Sequence, residues 1–167
     1  SMQHLIRLNR TLLLLSKIEN GQFPETVDVD LGAMIRDGIS LNDEIYSYKS
    51  IASVLEEDGT LISCMNEQMA SVLVNNLLKN AYVHSPDGGK VLVTVNENGF
   101  SVRNSGTAAL DRSRIFSRFY LPGGRKEGST GLGLALAYTV CDRNGMELSY
   151  DFVDNHHIFS VILKKSK

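Results

Sequence analysis

Apolar positions along the chain follow two periods, and the switches between them outline its elements. Leu5, Leu8, Leu12 and Leu15 keep a 3-4-3 spacing that predicts a helix with one apolar stripe, either a coiled-coil seam or a plain packing helix. The helix should stop near residues 19–21, because Asn20-Gly21 is a breaker pair and Pro24 follows. Val27 and Val29 predict a short strand, and Asp30 is placed to cap a helix carrying Leu31, Met34, Ile35, Leu41 and Ile45 on one side. Residues 51–55 and 61–65 flank the turn-rich Glu57-Asp58-Gly59 and predict a hairpin or closely spaced pair. Asn66 then caps a long helix reaching about His84, where Ser85-Pro86-Asp87-Gly88-Gly89 breaks the chain. Residues 91–95 and 99–102 form a second hairpin across Asn96-Glu97-Asn98-Gly99. A loop-like stretch over 104–130 leads into a helix over 131–143, and strands over 147–153 and 158–163 complete the chain. Antiparallel hairpins with helices between them predict an α+β fold, a two-layer sandwich.

Composition narrows the classes of partner. Seventeen basic against nineteen acidic residues give a net charge of -2, and no basic stripe is present to neutralise a nucleic-acid backbone. No apolar run approaches the ~18 residues of a membrane span, so no membrane contact is expected of these residues. Cys64 and Cys141 match neither a CxxC pair nor a zinc spacing; both are expected to be buried thiols in a reducing, cytoplasmic setting. Ser1 and Met2 read as an expression scar, and residues 21–167 as the globular unit.

Two features point to chemistry. At 100° per residue, Asn76 and Asn80 lie within about 40° of each other on a helix, on the arc shared with Met69, Val72 and Leu73. Carboxamides there cost about 1 to 3 kcal/mol each if left unpaired, so they need local partners, water or a polar ligand. The second feature is the run Gly128-Ser129-Thr130-Gly131-Leu132-Gly133-Leu134-Ala135 at a loop-to-helix junction. Glycines there admit a phosphate to the free N–H groups and positive end of the helix dipole, although an ordinary glycine-containing helix start is the plainer reading. It is not a P-loop, because Ser129 stands where lysine is required, nor a Rossmann fingerprint, because Leu136 stands at the third glycine.

Four segments in order decide between these readings: 75–81 (Asn-Asn-Leu-Leu-Lys-Asn-Ala), 102–106 (Val-Arg-Asn-Ser-Gly), 114–120 (Arg-Ile-Phe-Ser-Arg-Phe-Tyr) and 128–135. Together they resemble the N, G1, F and G2 boxes of the ATP-binding catalytic domain of bacterial sensor histidine kinases, in the wider family shared with gyrase and MutL. The resemblance covers residues 21–164 and implies a Bergerat fold, a mixed, mostly antiparallel sheet with helices on one face. It implies that Asn80 ligates Mg²⁺ and that Asn76 faces the phosphates of ATP. The backbone of Gly128, Thr130, Gly131, Leu132, Gly133 and Leu134 would bind those phosphates, with residues 121–130 as the ATP lid. Arg118, Arg125 and Lys126 are the cations for the transferred phosphoryl group, or solvated loop charges. Phe116, Phe119 and Tyr120 read as packing residues.

This sequence departs from the family pattern in instructive places. Asn104 stands where aspartate usually accepts from the adenine amino group, before Gly106, and Ala108 replaces the second glycine. A neutral acceptor in place of a charged one implies weaker but surviving ATP binding. Val83 replaces a lysine, and His84 takes the aromatic position, either against the nucleotide or in the core. No acid accompanies Asn76, which fits transfer of the phosphoryl group and not hydrolysis. His4, His156 and His157 lack the phosphoacceptor motif, so the implied acceptor histidine lies upstream, on a dimerisation hairpin whose second helix ends in residues 1–20. A response regulator would then receive the phosphoryl group. Two other readings are a degenerate nucleotide-binding or dimerisation module and a kinase for protein serine.

Overall fold

The computed structural model describes residues 1–121 and 131–164. Its helices are α1 (Met2–Glu19), α2 (Leu31–Ile45), α3 (Glu67–His84) and α4 (Gly133–Arg143). Strands β1 (Val27–Asp30), β2 (Ala52–Asp58), β3 (Ile62–Met65), β4 (Lys90–Asn96), β5 (Gly99–Ser105), β6 (Met146–Val153) and β7 (His156–Leu163) alternate with them. Five strands form one sheet in the order β2-β4-β5-β7-β6, and β1 pairs with β3 in a separate two-stranded ribbon.

Capping residues set the helix boundaries expected from the sequence. The Asp30 carboxylate accepts from the Ala33 N–H at 3.0 Å and opens α2. Asn66 opens α3 by accepting from the Met69 N–H at 3.1 Å, while its own amide donates to Glu25 O at 2.9 Å. The β4–β5 and β6–β7 hairpins form with the expected antiparallel sense.

The expected hairpin over residues 51–65 does not form. Instead β2 runs parallel to β4, from Ala52↔Lys90 to Asp58↔Asn96, and β3 pairs antiparallel with β1. The cause is a single anchor: Leu61 is fully buried, and its carbonyl accepts from the Leu31 N–H at 2.9 Å. That anchor draws the following strand onto β1, so α3 becomes part of a crossover returning to β4, as a parallel pair requires.

One face of the large sheet presents Val91, Val93, Val102, Phe159 and Val161 to the helices. Against it lie Leu73, Val74 and Leu77 of α3 and Leu136, Ala137 and Val140 of α4. Leu15 and Ile18, from the last turns of α1, belong to the same core, whereas Leu5 is exposed. Cys141 is buried as expected, and desolvation pushes its thiol pKa up to about 12. Cys64 is exposed, contrary to expectation, because the Val27↔Met65 register buries Met65 and turns its neighbour outward.

The C-terminal end of α3 is held by an unusual donor. Lys49, in a 3-10 turn (Ser47–Lys49), is buried, and its Nζ donates to Tyr82 O at 2.8 Å and Val83 O at 3.0 Å. A cation at the negative end of the helix dipole satisfies two carbonyls that the helix leaves open. Lys49→Met should therefore lower the unfolding free energy by about 1 to 3 kcal/mol. The check is a urea titration in which the midpoint falls and the slope stays constant.

Candidate functional site

A cavity of about 690 Å³ opens between the C-terminal half of α3, the end of β5, the loop after it and the N-terminus of α4. Asn76, Asn80 and His84 stand at successive i, i+4 positions on α3 and line one wall. They sit at the edge of the helix's buried stripe, half-buried, beside fully buried Leu73 and Leu77.

Asn76 is oriented by its own helix: Nδ2 donates to Val72 O at 2.7 Å. Its Oδ1 is directed at the start of α4, 3.0 Å from where a β-carbon at Gly133 would stand. Glycine at 133 therefore preserves the gap between the carboxamide and the helix terminus. Gly131, Gly133 and Leu134 all reach the cavity, and among the described residues no side chain caps α4. Its first N–H groups and the positive end of its dipole make this wall suited to an anion.

The opposite end of the cavity is built by the sheet. Asn104 is 1% exposed; its Nδ2 donates to Ser105 O at 3.1 Å, whereas its Oδ1 is a buried acceptor without a hydrogen-bond partner. It is the sole such side-chain atom among the described residues. A bare buried acceptor costs about 1 to 3 kcal/mol, and a ligand donor would recover that loss. Beside it, Gly106 packs so closely on the His157 ring that a β-carbon there would lie 2.2 Å from Nε2.

The loop from 106 to 121 closes the cavity. Leu110 N–H donates to Tyr150 Oη at 2.9 Å, and Asp111 N–H donates to Tyr120 Oη at 3.3 Å. Phe116 stacks on Tyr138 and meets Phe159 edge-on, a packing role as expected, while Tyr120 lines the cavity. Phe119 takes a left-handed conformation, φ 64°, and donates its N–H to Gly131 O at 2.7 Å. Gly131, at φ 76°, could not carry a β-carbon, which would stand 2.7 Å from Phe119 Cα. Residues 119 and 131 are thus stapled together across the segment between them.

Asn76, Asn80, His84, Asn104, Gly106, Gly131, Gly133 and Leu134 are all brought to one cavity. Two expected site residues are not. Leu132 is fully buried in the core, and Arg118 forms an ion pair with Glu19 of α1, both partners being half-exposed. Arg125, Lys126, Gly128 and Thr130 lie outside the described residues. Lys79, Tyr120 and His157 also line the cavity and were not singled out as ligand contacts. Lys79 lies inside the 75–81 segment and was legible there, but His157 depends on strand register, which the sequence does not display.

These features define an α+β sandwich with a cavity that suits an anion at one end. Residues 65–166 match the family described as histidine kinase-, DNA gyrase B- and HSP90-like ATPases, and the chain belongs to that family. Among curated relatives, the swarming motility regulation sensor protein RssA of Serratia marcescens is 28% identical over 154 residues, covering 84% of this chain and 32% of that protein. Sensor protein QseC of Escherichia coli K12 is 38% identical over 84 residues, covering 49% of this chain and 19% of that protein. The chain thus spans about a third or less of the curated relatives' lengths. Among solved structures, histidine kinase ThkA in complex with response regulator protein TrrA superimposes with a TM-score of 0.77 at 21% identity, over 99% of this chain and 48% of that one. The mixed, mostly antiparallel sheet with helices on one face is therefore the expected fold.

Burial, and secondarily the neighbouring His156, hold the His157 pKa below its ordinary 6.5. A base whose pKa is lower in the folded state binds fewer protons than in the unfolded chain, so stability is full above about pH 6.5 and declines as pH falls below it. The melting temperature should drop between pH 7 and pH 5, and His157→Gln should flatten that drop. Differential scanning calorimetry of both proteins across this range makes the comparison.

Proposed function

We propose that this chain is the ATP-holding catalytic unit of a sensor histidine kinase, positioning Mg-ATP for transfer of its γ-phosphoryl group to a histidine outside residues 1–167. The observation that carries the reading is the buried, unpartnered Oδ1 of Asn104 on the floor of a cavity whose other end is an open helix N-terminus. An amino-bearing base and a polyanionic tail satisfy both at once.

Asn104 accepts from the adenine amino group. Its orientation is locked, because turning the amide over would set Oδ1 against the Ser105 carbonyl. The N–H groups at the start of α4 and the Asn76 carboxamide receive phosphate oxygens. Asn80 holds Mg²⁺ through its side-chain oxygen, a hard ligand of the kind that ion prefers. When bound, the ion neutralises charge on the phosphates and favours departure of the terminal one. Leu110, Ile115 and Phe159 keep the base end dry, which strengthens the Asn104 bond. Among the described residues no carboxylate lines the cavity, an arrangement that favours passing the phosphoryl group on over activating water.

The relatives supply the wider setting. The helix α1 is assigned as the end of a dimerisation and phosphoacceptor hairpin, and the next acceptor as an aspartate of a response regulator, on the cytoplasmic side of a membrane sensor. The ThkA–TrrA complex and the names of the sensor proteins support this placement. No helix among the described residues is long and apolar enough to cross a membrane.

Two experiments test the reading. Calorimetry should detect saturable Mg-ATP binding that Asn80→Ala abolishes, and γ-labelled ATP should label a separately supplied phosphoacceptor hairpin but not this chain alone. Stable self-labelling would contradict the assignment. Asn104→Leu removes an orphaned acceptor along with its amide, so the unfolding midpoint should change little while ATP affinity falls about tenfold or more.

A further inference from the structure

The floor of the cavity contains a polar group that the motifs do not account for. His157 lies directly across from Asn104 in the β5–β7 register. Side chains so paired stand about 4.5–5.5 Å apart at their β-carbons and share one face of the sheet. Both line the cavity.

Hydrogen-bond accounting fixes which nitrogen of His157 carries the proton. Tyr150 Oη lies 2.8 Å from His157 Nδ1 and already accepts from Leu110 N–H. Tyr150 is buried, and Nδ1 is the one acceptor its hydroxyl proton reaches among the described residues. The hydroxyl therefore donates to Nδ1, and the neutral ring holds its proton on Nε2. Nε2 lies on the Gly106 side of the ring and has no hydrogen-bond partner among the described residues. The Gly106 N–H is unavailable to a ligand, because it donates to Asn155 O at 2.8 Å.

The floor thus offers an acceptor, Asn104 Oδ1, beside a donor, His157 Nε2–H. An adenine edge presents the complement, an amino donor next to the ring acceptor N1. Hypoxanthine and guanine present an acceptor at position 6 and a donor at N1, so both contacts would be mismatched. Resting on the nucleotide reading above, the geometry points to His157 as a specificity-determining residue that donates from Nε2 to adenine N1. Tyr150 is its positioning residue, and through Leu110 it ties the base end of the cavity to the covering loop.

Calorimetry with Mg-ATP and Mg-1-deaza-ATP, in which a C–H replaces N1, isolates this contact. The wild-type chain should prefer ATP by about fivefold, as one neutral hydrogen bond implies. His157→Phe should erase the preference while 1-deaza-ATP still binds, and His157→Gln, which keeps a donor, should restore part of it. Persistence of the full preference in His157→Phe would overturn the inference but leave the nucleotide reading intact. Failure of the wild-type chain to bind either nucleotide overturns both. A measurement independent of variants is imidazole ¹⁵N–¹H correlation NMR of the wild-type chain. The His157 Nε2 proton should move downfield with ATP and not with 1-deaza-ATP, and equal responses to the two would refute the contact.

Discussion

Helix α3 carries two obligations that compete for the same surface. It must bury Leu73, Val74, Leu77 and Leu78 to hold the sandwich together, and it must keep Asn76 and Asn80 facing the cavity. A rotation of one residue, about 100°, would sink a carboxamide into the core or expose a leucine. The helix is therefore fixed at both ends: Asn66 ties its start to Glu25 and Met69, while Lys49 and Ser85 hold carbonyls of its last turn. Every other part of the site is placed relative to that rotation. Gly133 is cut back to the Asn76 oxygen, and α4 packs along α3 so that its open N-terminus meets the same wall.

Much of this was legible because the signals are local. Asp30 and Asn66 announce helices through their own side chains, and Asn76 and Asn80 share a face by spacing alone. The ordered boxes conveyed the fold through resemblance. What could not be read was pairing at a distance. The expected hairpin over 51–65 failed because a buried Leu61 and its bond to Leu31, thirty positions earlier, outweighed the turn chemistry of Asp58-Gly59. His157 escaped for the same reason: its neighbour Asn104 lies two strands of chain away and is brought to it by register. Cys64 was misplaced because cysteine spacing says nothing of which face of a strand a thiol takes, and the β1–β3 register turns it outward.

Arg118 shows how a motif residue acquires a role that its motif does not foretell. It pairs with Glu19 at the end of α1, within the same segment that staples Phe119 to Gly131. An ion pair between two half-exposed groups contributes little stability on its own. Leu15 and Ile18, one turn or less before Glu19, bind α1 to the core far more strongly, at about 1.5 to 3 kcal/mol for each buried side chain. Under the kinase reading, α1 continues toward the phosphoacceptor, so moving the catalytic unit along that helix must uncover these residues as well as break the pair. The apolar contacts would set most of the energy of such a motion, and the pair links the end of α1 to the loop closing the cavity.

Asn104 exposes the trade that a binding floor makes against stability. Among the described residues the other buried side-chain polar atoms find partners, and this oxygen alone does not. An apolar residue would fill the position without that cost, so folding does not account for a carboxamide here. The adjoining contacts follow the same logic. Gly106 yields its side-chain space to the His157 ring, and Tyr150 spends its hydroxyl on that ring instead of on water. Asn104 on β5, Gly106 just after it and Tyr150 on β6 all act on one end of the cavity, Tyr150 through the His157 ring. A protein whose core is otherwise satisfied concentrates such costs where a ligand completes the pairing.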